Sequence, residues 1–203
     1  MLSEPVEEGS AADERCRAAG MRRVLALTYT KLAVSDFDLK PEAVPGYRLV
    51  HWEGTVADDL AETFARARPA MDDMPMDDID YRPEPWDVAR LHRVAAVVAD
   101  RGDTLLTTAA IGADGEMAGF TEVVLSGDEG LHYGTGVLPA HRGRGLAKWL
   151  KVAQIGLVKE RFPQVKALVA DTADSNVVMR RVNDALGYRP THRSFIYQDD
   201  QEA

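Results

Sequence analysis

Six consecutive residues, Arg142-Gly143-Arg144-Gly145-Leu146-Ala147, hold the densest chemical information in the chain. Gly143 and Gly145 let the backbone approach a ligand with no Cβ in the way. A segment with helical spacing starts at Gly145, and the first N–H groups of a helix have no internal partner. They point outward at the positive end of the helix dipole, which suits an anion such as a diphosphate. Two other phosphate loops do not fit. The P-loop needs a Lys-Ser or Lys-Thr pair after its last glycine, and none is there. The dinucleotide fingerprint needs Gly or Ala at its last position, which is Lys148 when read from Gly143.

The elements around this loop follow from periodicity. Residues 105–111, 117–125 and 131–137 read as strands separated by the turn residues 112–115 and 126–130, an antiparallel meander. Residues 145–162 read as a long helix with Leu146, Leu150, Ala153 and Leu157 inward. Residues 165–170 read as a strand, 176–186 as a helix with Val178, Val182 and Ala185 inward, and 188–198 as a last strand. Strand, helix and strand in that order make a right-handed crossover between parallel strands. Before the meander, 47–52 alternates as a short strand and 58–68 is helical with Leu60, Phe64 and Ala67 on one face. Residues 85–100 form a second helix, with Pro85 in its first turn. Residues 1–20 read as a disordered or weakly helical leader and 21–30 as a strand, so the expected division is an extension over 1–44 and a domain over 45–203.

Composition bounds the function. The net charge of −9 argues against nonspecific nucleic-acid binding, which depends on basic patches. Cys16 is the only cysteine, so an internal disulfide and zinc sites built on paired cysteines are excluded, and no metal is expected. No apolar run approaches a membrane span, and the acidic, polar leader lacks a signal-peptide core, so the expected compartment is the cytoplasm.

Arg142, Gly145 and Ala147 fit the pattern Arg-x-x-Gly-x-Ala, preceded by a strand ending at Val137. Farther on, Asn176, Met179, Val182, Leu186, Gly187 and Tyr188 fit N-x-x-M/A-x-x-L/V-Y-x-x-x-G-F/Y, apart from one position. On these residues the chain resembles the GNAT superfamily of N-acetyltransferases over about residues 105–198. The resemblance implies an α/β (α+β) fold, a mixed and mostly antiparallel central sheet flanked by helices and splayed where acyl-CoA binds. It implies acetyl-CoA or another acyl-CoA as cosubstrate, on Thr135, Gly136, Val137, residues 142–147 and Asn176, and a small-molecule amine that attacks the acyl group directly.

By the same resemblance, backbone N–H groups at 135–137 polarise the thioester carbonyl. A base must deprotonate the incoming ammonium. Glu122 is the first candidate, with His132, Tyr133 and Asp171 behind it. The competing reading of Glu122 is an exposed strand carboxylate. His132 and Tyr133 cannot both face the cleft, because strand side chains alternate. The family tyrosine that protonates the departing thiolate is Asn183 here, which can donate a hydrogen bond but not a proton, so Tyr197, Tyr133 or water supplies it, or the step goes unassisted. The acidic loop 71–80 is a candidate acceptor site, with Asp72 and Asp73 meeting a cationic substrate. Asn183 also keeps open a noncatalytic acyl-CoA-binding module or sensor. Residues 15–39 resemble the tail of an upstream domain in tandem members of the superfamily. The strand at 21–30 cannot stand alone, so it pairs within the chain or across a homodimer.

Overall fold

A computed structural model of the chain describes residues 1–80 and 82–199. Its elements are β1 (Val6–Glu7), α1 (Ala11–Ala18), β2 (Arg22–Ala33), β3 (Tyr47–Glu53), α2 (Asp58–Ala67), α3 (Val88–Asp100), β4 (Thr104–Gly112), β5 (Met117–Ser126), β6 (Glu129–Val137), α4 (Leu146–Arg161), β7 (Ala167–Ala173), α5 (Val177–Ala185) and β8 (Arg189–Gln198). The architecture is mixed α/β, with mostly antiparallel strands flanked by helices. The chain divides into two units. One is Leu32–Asp73 with Pro83–Val169; the other is Met1–Lys31, Met74–Arg82 and Ala170–Ala203.

In the first unit β3, β4, β5 and β6 form the antiparallel meander. Its last turn is tighter than expected. Ser126 pairs with Glu129 across Gly127, whose φ of 58° only glycine adopts without cost. The sheet is apolar on both faces because both are covered. Successive residues of β4 serve opposite sides. Ala109 and Ile111 join Phe64, Leu91 and Phe120 against α2 and α3, while Ala110 joins Ala118, Leu146 and Leu150 against α4. Each large apolar side chain buried this way contributes about 1.5–3 kcal/mol. The crossover β6–α4–β7 is parallel, as the strand–helix–strand order requires. α3 starts later than expected. Its cap is Asp87, whose carboxylate accepts from Arg90 N at 2.6 Å, so Pro85 and Trp86 precede the helix in irregular backbone.

In the second unit β8 lies between β1 and β2, antiparallel to both. The strand expected at 21–30 is β2, and its partner β8 belongs to the same chain. The leader carries α1, whose cap Ser10 accepts from Asp13 N. The inward face of α5 differs from the expected one. Val178 is 73% exposed, whereas Asn183 and Leu186 are buried. A polar residue can turn inward because its amide finds a partner, Thr172 Oγ1 at 3.2 Å.

Asp13 is buried in this unit. The Tyr197 hydroxyl, then the Gly9 N–H, hold its carboxyl down from 3.8 to about 2. A depressed carboxyl contributes stability that is complete above its ordinary pKa and lost as pH falls toward the folded value. Asp13→Asn is therefore expected to melt below the parent at pH 7, with the gap closing between about pH 4 and pH 2. Melting curves across that range check it; a constant gap would remove Asp13 from the acid transition.

Candidate functional site

The glycine-arginine loop leads straight into α4. Gly145 is the N-cap of α4 at φ 81°, with no side chain capping the helix, and Gly143 sits at φ 74°. A Cβ placed on either glycine would meet nothing within 4 Å, so both face open space. The helix ladder begins with Trp149 N donating to Gly145 O, which leaves the N–H groups of Leu146, Ala147 and Lys148 directed outward. Leu146 is itself 1% exposed, so its side chain anchors the helix while its N–H is directed outward. This open row of donors at a helix N-terminus fits a diphosphate.

The arginines are held in place. Arg142 donates through Nε to Val137 O at 2.9 Å and through Nη2 to Asp73 at 2.6 Å. Arg144 reaches Tyr47 Oη at 3.1 Å, and the same hydroxyl bonds His141 Nδ1 at 2.8 Å. The Asp73 carboxylate, the candidate for a cationic substrate, is exposed and pairs through Oδ2 with Arg142. Asp72 closes a 3-10 turn, donating its N–H to Pro69 O.

β6 changes character midway. Val123 pairs with His132 and Glu122 with Gly134, so Tyr133 is an extra residue, a bulge. The parallel ladder from β6 to β7 includes Glu129↔Ala167, Gly130↔Leu168 and Leu131↔Val169. Through Thr135, Gly136 and Val137, β6 keeps its register with β5. Close packing fixes the far end of this stretch. A Cβ on Gly119 would lie 2.8 Å from Gly136 O and 3.2 Å from Val137 Cα, both backbone atoms that cannot swing aside. Gly119→Ala is expected to cost about 1–3 kcal/mol by overpacking, a melting-temperature drop of roughly 2–10 °C. Unchanged melting would show that the strands separate freely at this point.

Glu122 lies opposite Gly134, at the bulge. It is not an exposed strand carboxylate, being 2% exposed and ion-paired with Arg68, which is also buried. Thr107 Oγ1 donates to its other oxygen at 3.3 Å. Burial pushes the carboxyl up; the Arg68 guanidinium and the Thr107 hydroxyl pull it partly back. Arg68 lies under the Trp86 ring, 3.9 Å from its centroid, and Arg90 stacks on the same ring at 4.0 Å. A pocket opens beside the pair, walled by Trp52, Phe64, Trp86, Leu91 and Leu105. Tyr133 is exposed, 6.0 Å from the guanidinium carbon. His132 is buried; burial first and Lys151 second hold its imidazole far below the usual histidine range. The two neighbours therefore differ, one buried and one exposed.

The second unit holds the remaining candidates. Asn176 caps α5, accepting from Met179 N at 3.1 Å. Asn183 is buried against Thr172. Tyr197 is buried too, its hydroxyl bonded to Asp13 and Arg23, and burial followed by the Asp13 bond pushes its phenol up. That makes it a poor proton source. Asp171 is exposed on β7.

Sequence reasoning missed Arg68, Thr107 and Trp86. A signal for Arg68 existed. It continues the spacing of Ala61, Phe64 and Ala65 along the buried face of α2, where a lone cation has no place without a partner. Trp86 carried no such mark. Among the described residues, no group of three or more His, Cys, Asp or Glu is placed to hold a metal ion, and no helix is long and apolar enough to cross a membrane.

Comparison with known proteins agrees with the architecture. Solved structures that resemble the chain include a tandem GNAT protein from the clavulanic acid biosynthesis pathway (TM-score 0.77, 24% identity, 96% of this chain and 61% of that one). Others are a GCN5-related N-acetyltransferase from Sphaerobacter thermophilus (0.68, 17%, 95% and 57%) and one from Kribbella flavida (0.58, 19%, 89% and 60%). At these identities they show the fold alone, and the chain spans less than two thirds of each. A search of curated proteins finds no match. The acetyltransferase (GNAT) family model matches residues 60–188, which is more than half of the chain, from α2 through the loop to the turn after α5. The chain thus belongs to the GNAT family of acetyltransferases.

Proposed function

We propose that the protein is an acyl-CoA-dependent N-acyltransferase that moves an acetyl group from acetyl-CoA to a primary amine by direct attack. One observation carries the reading: the open N-terminus of α4, behind two glycines at positive φ, follows directly on the end of β6. Acyl-CoA supplies an acyl carbon activated as a thioester, so an amine forms the C–N bond as the C–S bond breaks. N–H groups of Leu146, Ala147 and Lys148 hold the diphosphate, and residues 135–137 offer backbone donors to the acyl arm. Glu122, kept buried across from Gly134, takes the proton of the incoming ammonium. Tyr133 is the exposed hydroxyl on β6 that can return a proton to the departing sulfur. A thiolate with pKa near 8.5 leaves tolerably even before that transfer is complete.

The second reading is a noncatalytic acyl-CoA-binding module. Asn183, buried and donating to Thr172 where the family has a tyrosine, favours it. Calorimetry with acetyl-CoA beside thiol release against an amine panel separates the two. Binding with turnover supports the enzyme; binding without turnover supports the module; affinity for ATP or NAD above that for CoA overturns both. The reading includes a cytoplasmic location and a homodimer. Sedimentation over a range of concentrations tests the dimer, and a monomer throughout removes it.

A further inference from the structure

The Arg68–Glu122 pocket asks for more than a proton acceptor. Arg68 is fully buried, yet its Nε has no hydrogen-bond partner among the described residues. An unanswered donor on a buried charge is costly. The ion pair offsets little of that, because removing two charges from water consumes most of their attraction. Apolar side chains at positions 68 and 122 would fill the space between Phe64 and Trp86 at lower cost. A site that keeps one cation, one anion and a spare donor inside aromatic walls is built to meet a ligand.

Charge selects which ligand. The fixed charges of Arg68 and Glu122 cancel. A bare ammonium entering apolar walls would bring an excess positive charge beside Arg68. A bare carboxylate would bring an excess negative charge beside Glu122. A zwitterion brings both signs, gives each fixed charge an opposite partner and leaves the pocket neutral. We infer that the acceptor is an α-amino acid with an apolar side chain, its carboxylate accepting from Arg68, its amino group facing Glu122 and its side chain lying against Trp52 and Trp86. The free volume is about 10 Å³, one water-sized group, so the carboxylate leads and Trp86 moves outward to admit the rest. Trp86 stands in irregular backbone before α3, where such movement breaks no helix or sheet bond.

The turnover part of this inference rests on the acyltransferase reading; the binding part does not. Trp52 and Trp86, two of the three tryptophans, line the pocket, so intrinsic fluorescence reports its occupancy. Phenylalanine, leucine and valine are titrated, each beside its decarboxylated amine and its deaminated acid. At least one amino acid is expected to give a saturable change at a concentration about tenfold or more below both of its analogues. Arg68→Gln is expected to erase that margin. Trp86→Leu, which leaves the ion pair intact, is expected to weaken binding several-fold and serves if the arginine variant does not fold. With acetyl-CoA present, kcat/KM for thiol release is expected to favour the same amino acid over its amine by a similar factor. Three amino acids that never surpass their analogues overturn the pocket assignment. If simple amines are then acetylated without preference, the acyltransferase reading survives alone. If an amino acid binds with the expected margin but no amine releases thiol, the pocket stands and the acyltransferase reading fails.

Discussion

Gly145→Asp is expected to raise the dissociation constant of acetyl-CoA by about 10²-fold or more. The residue sits at φ 81° as the cap of α4, with open space where its side chain would grow. On the proposed reading, that space is where a diphosphate would meet the N–H groups of Leu146, Ala147 and Lys148. A carboxylate there opposes the ligand's charge by roughly 1–4 kcal/mol at 4 Å, depending on the local dielectric, and also covers the donors. The left-handed backbone adds about 1–2 kcal/mol of strain for any side chain, which Gly145→Ala shares. The pair of variants therefore separates strain from charge. Both melt slightly below the parent, and calorimetry finds the alanine variant weakened modestly and the aspartate variant severely. Equal affinities in the two would mean that the helix N-terminus does not hold the diphosphate.

Glu122→Gln is expected to lower kcat by about 10²–10⁴-fold while leaving acetyl-CoA affinity within a few-fold. In the parent, burial places the carboxyl above the usual carboxylate range, so activity rises with pH as Glu122 loses its proton. The variant lacks a titrating group there, and that limb of the pH profile disappears. The same change leaves Arg68 buried without a counter-charge, at a cost of about 3–5 kcal/mol. Arg68→Met combined with Glu122→Met removes both charges and is expected to recover most of that stability but none of the rate. A variant that keeps nearly full activity at every pH would pass the proton-accepting role to a water chain or to Asp171.

These two residues differ in how readable they were. Gly145 was legible because its chemistry is local. A glycine between a strand and a helix, four residues before Trp149, builds its own donor row whatever surrounds it. Glu122 was legible as a carboxylate near the loop but not in its state, since that depends on Arg68, 54 residues away in sequence. Asp73 shows the same limit. An acidic loop reads as a solvated face or a cation site, yet one of its carboxylates closes on Arg142, 69 residues later. The face of α5 was misjudged because a buried asparagine is permitted by a threonine on another element, and hydropathy counts neither partner.

By itself, then, the sequence determined the meander, the crossover and the glycine-arginine turn into α4. Each rests on short-range physics: side-chain alternation, helical spacing, glycine at positive φ and unpaired helix donors. It also determined that His132 and Tyr133 would part ways across the strand. Only the tertiary structure decided where β6 bulges against β5, because a bulge is a mismatch of register between two strands and belongs to neither alone. Only it could enclose Glu122 with Arg68 beneath Trp86. Burial and pairing are properties of packed neighbours brought together from distant positions, and they set the charge of a carboxylate as firmly as its own chemistry does.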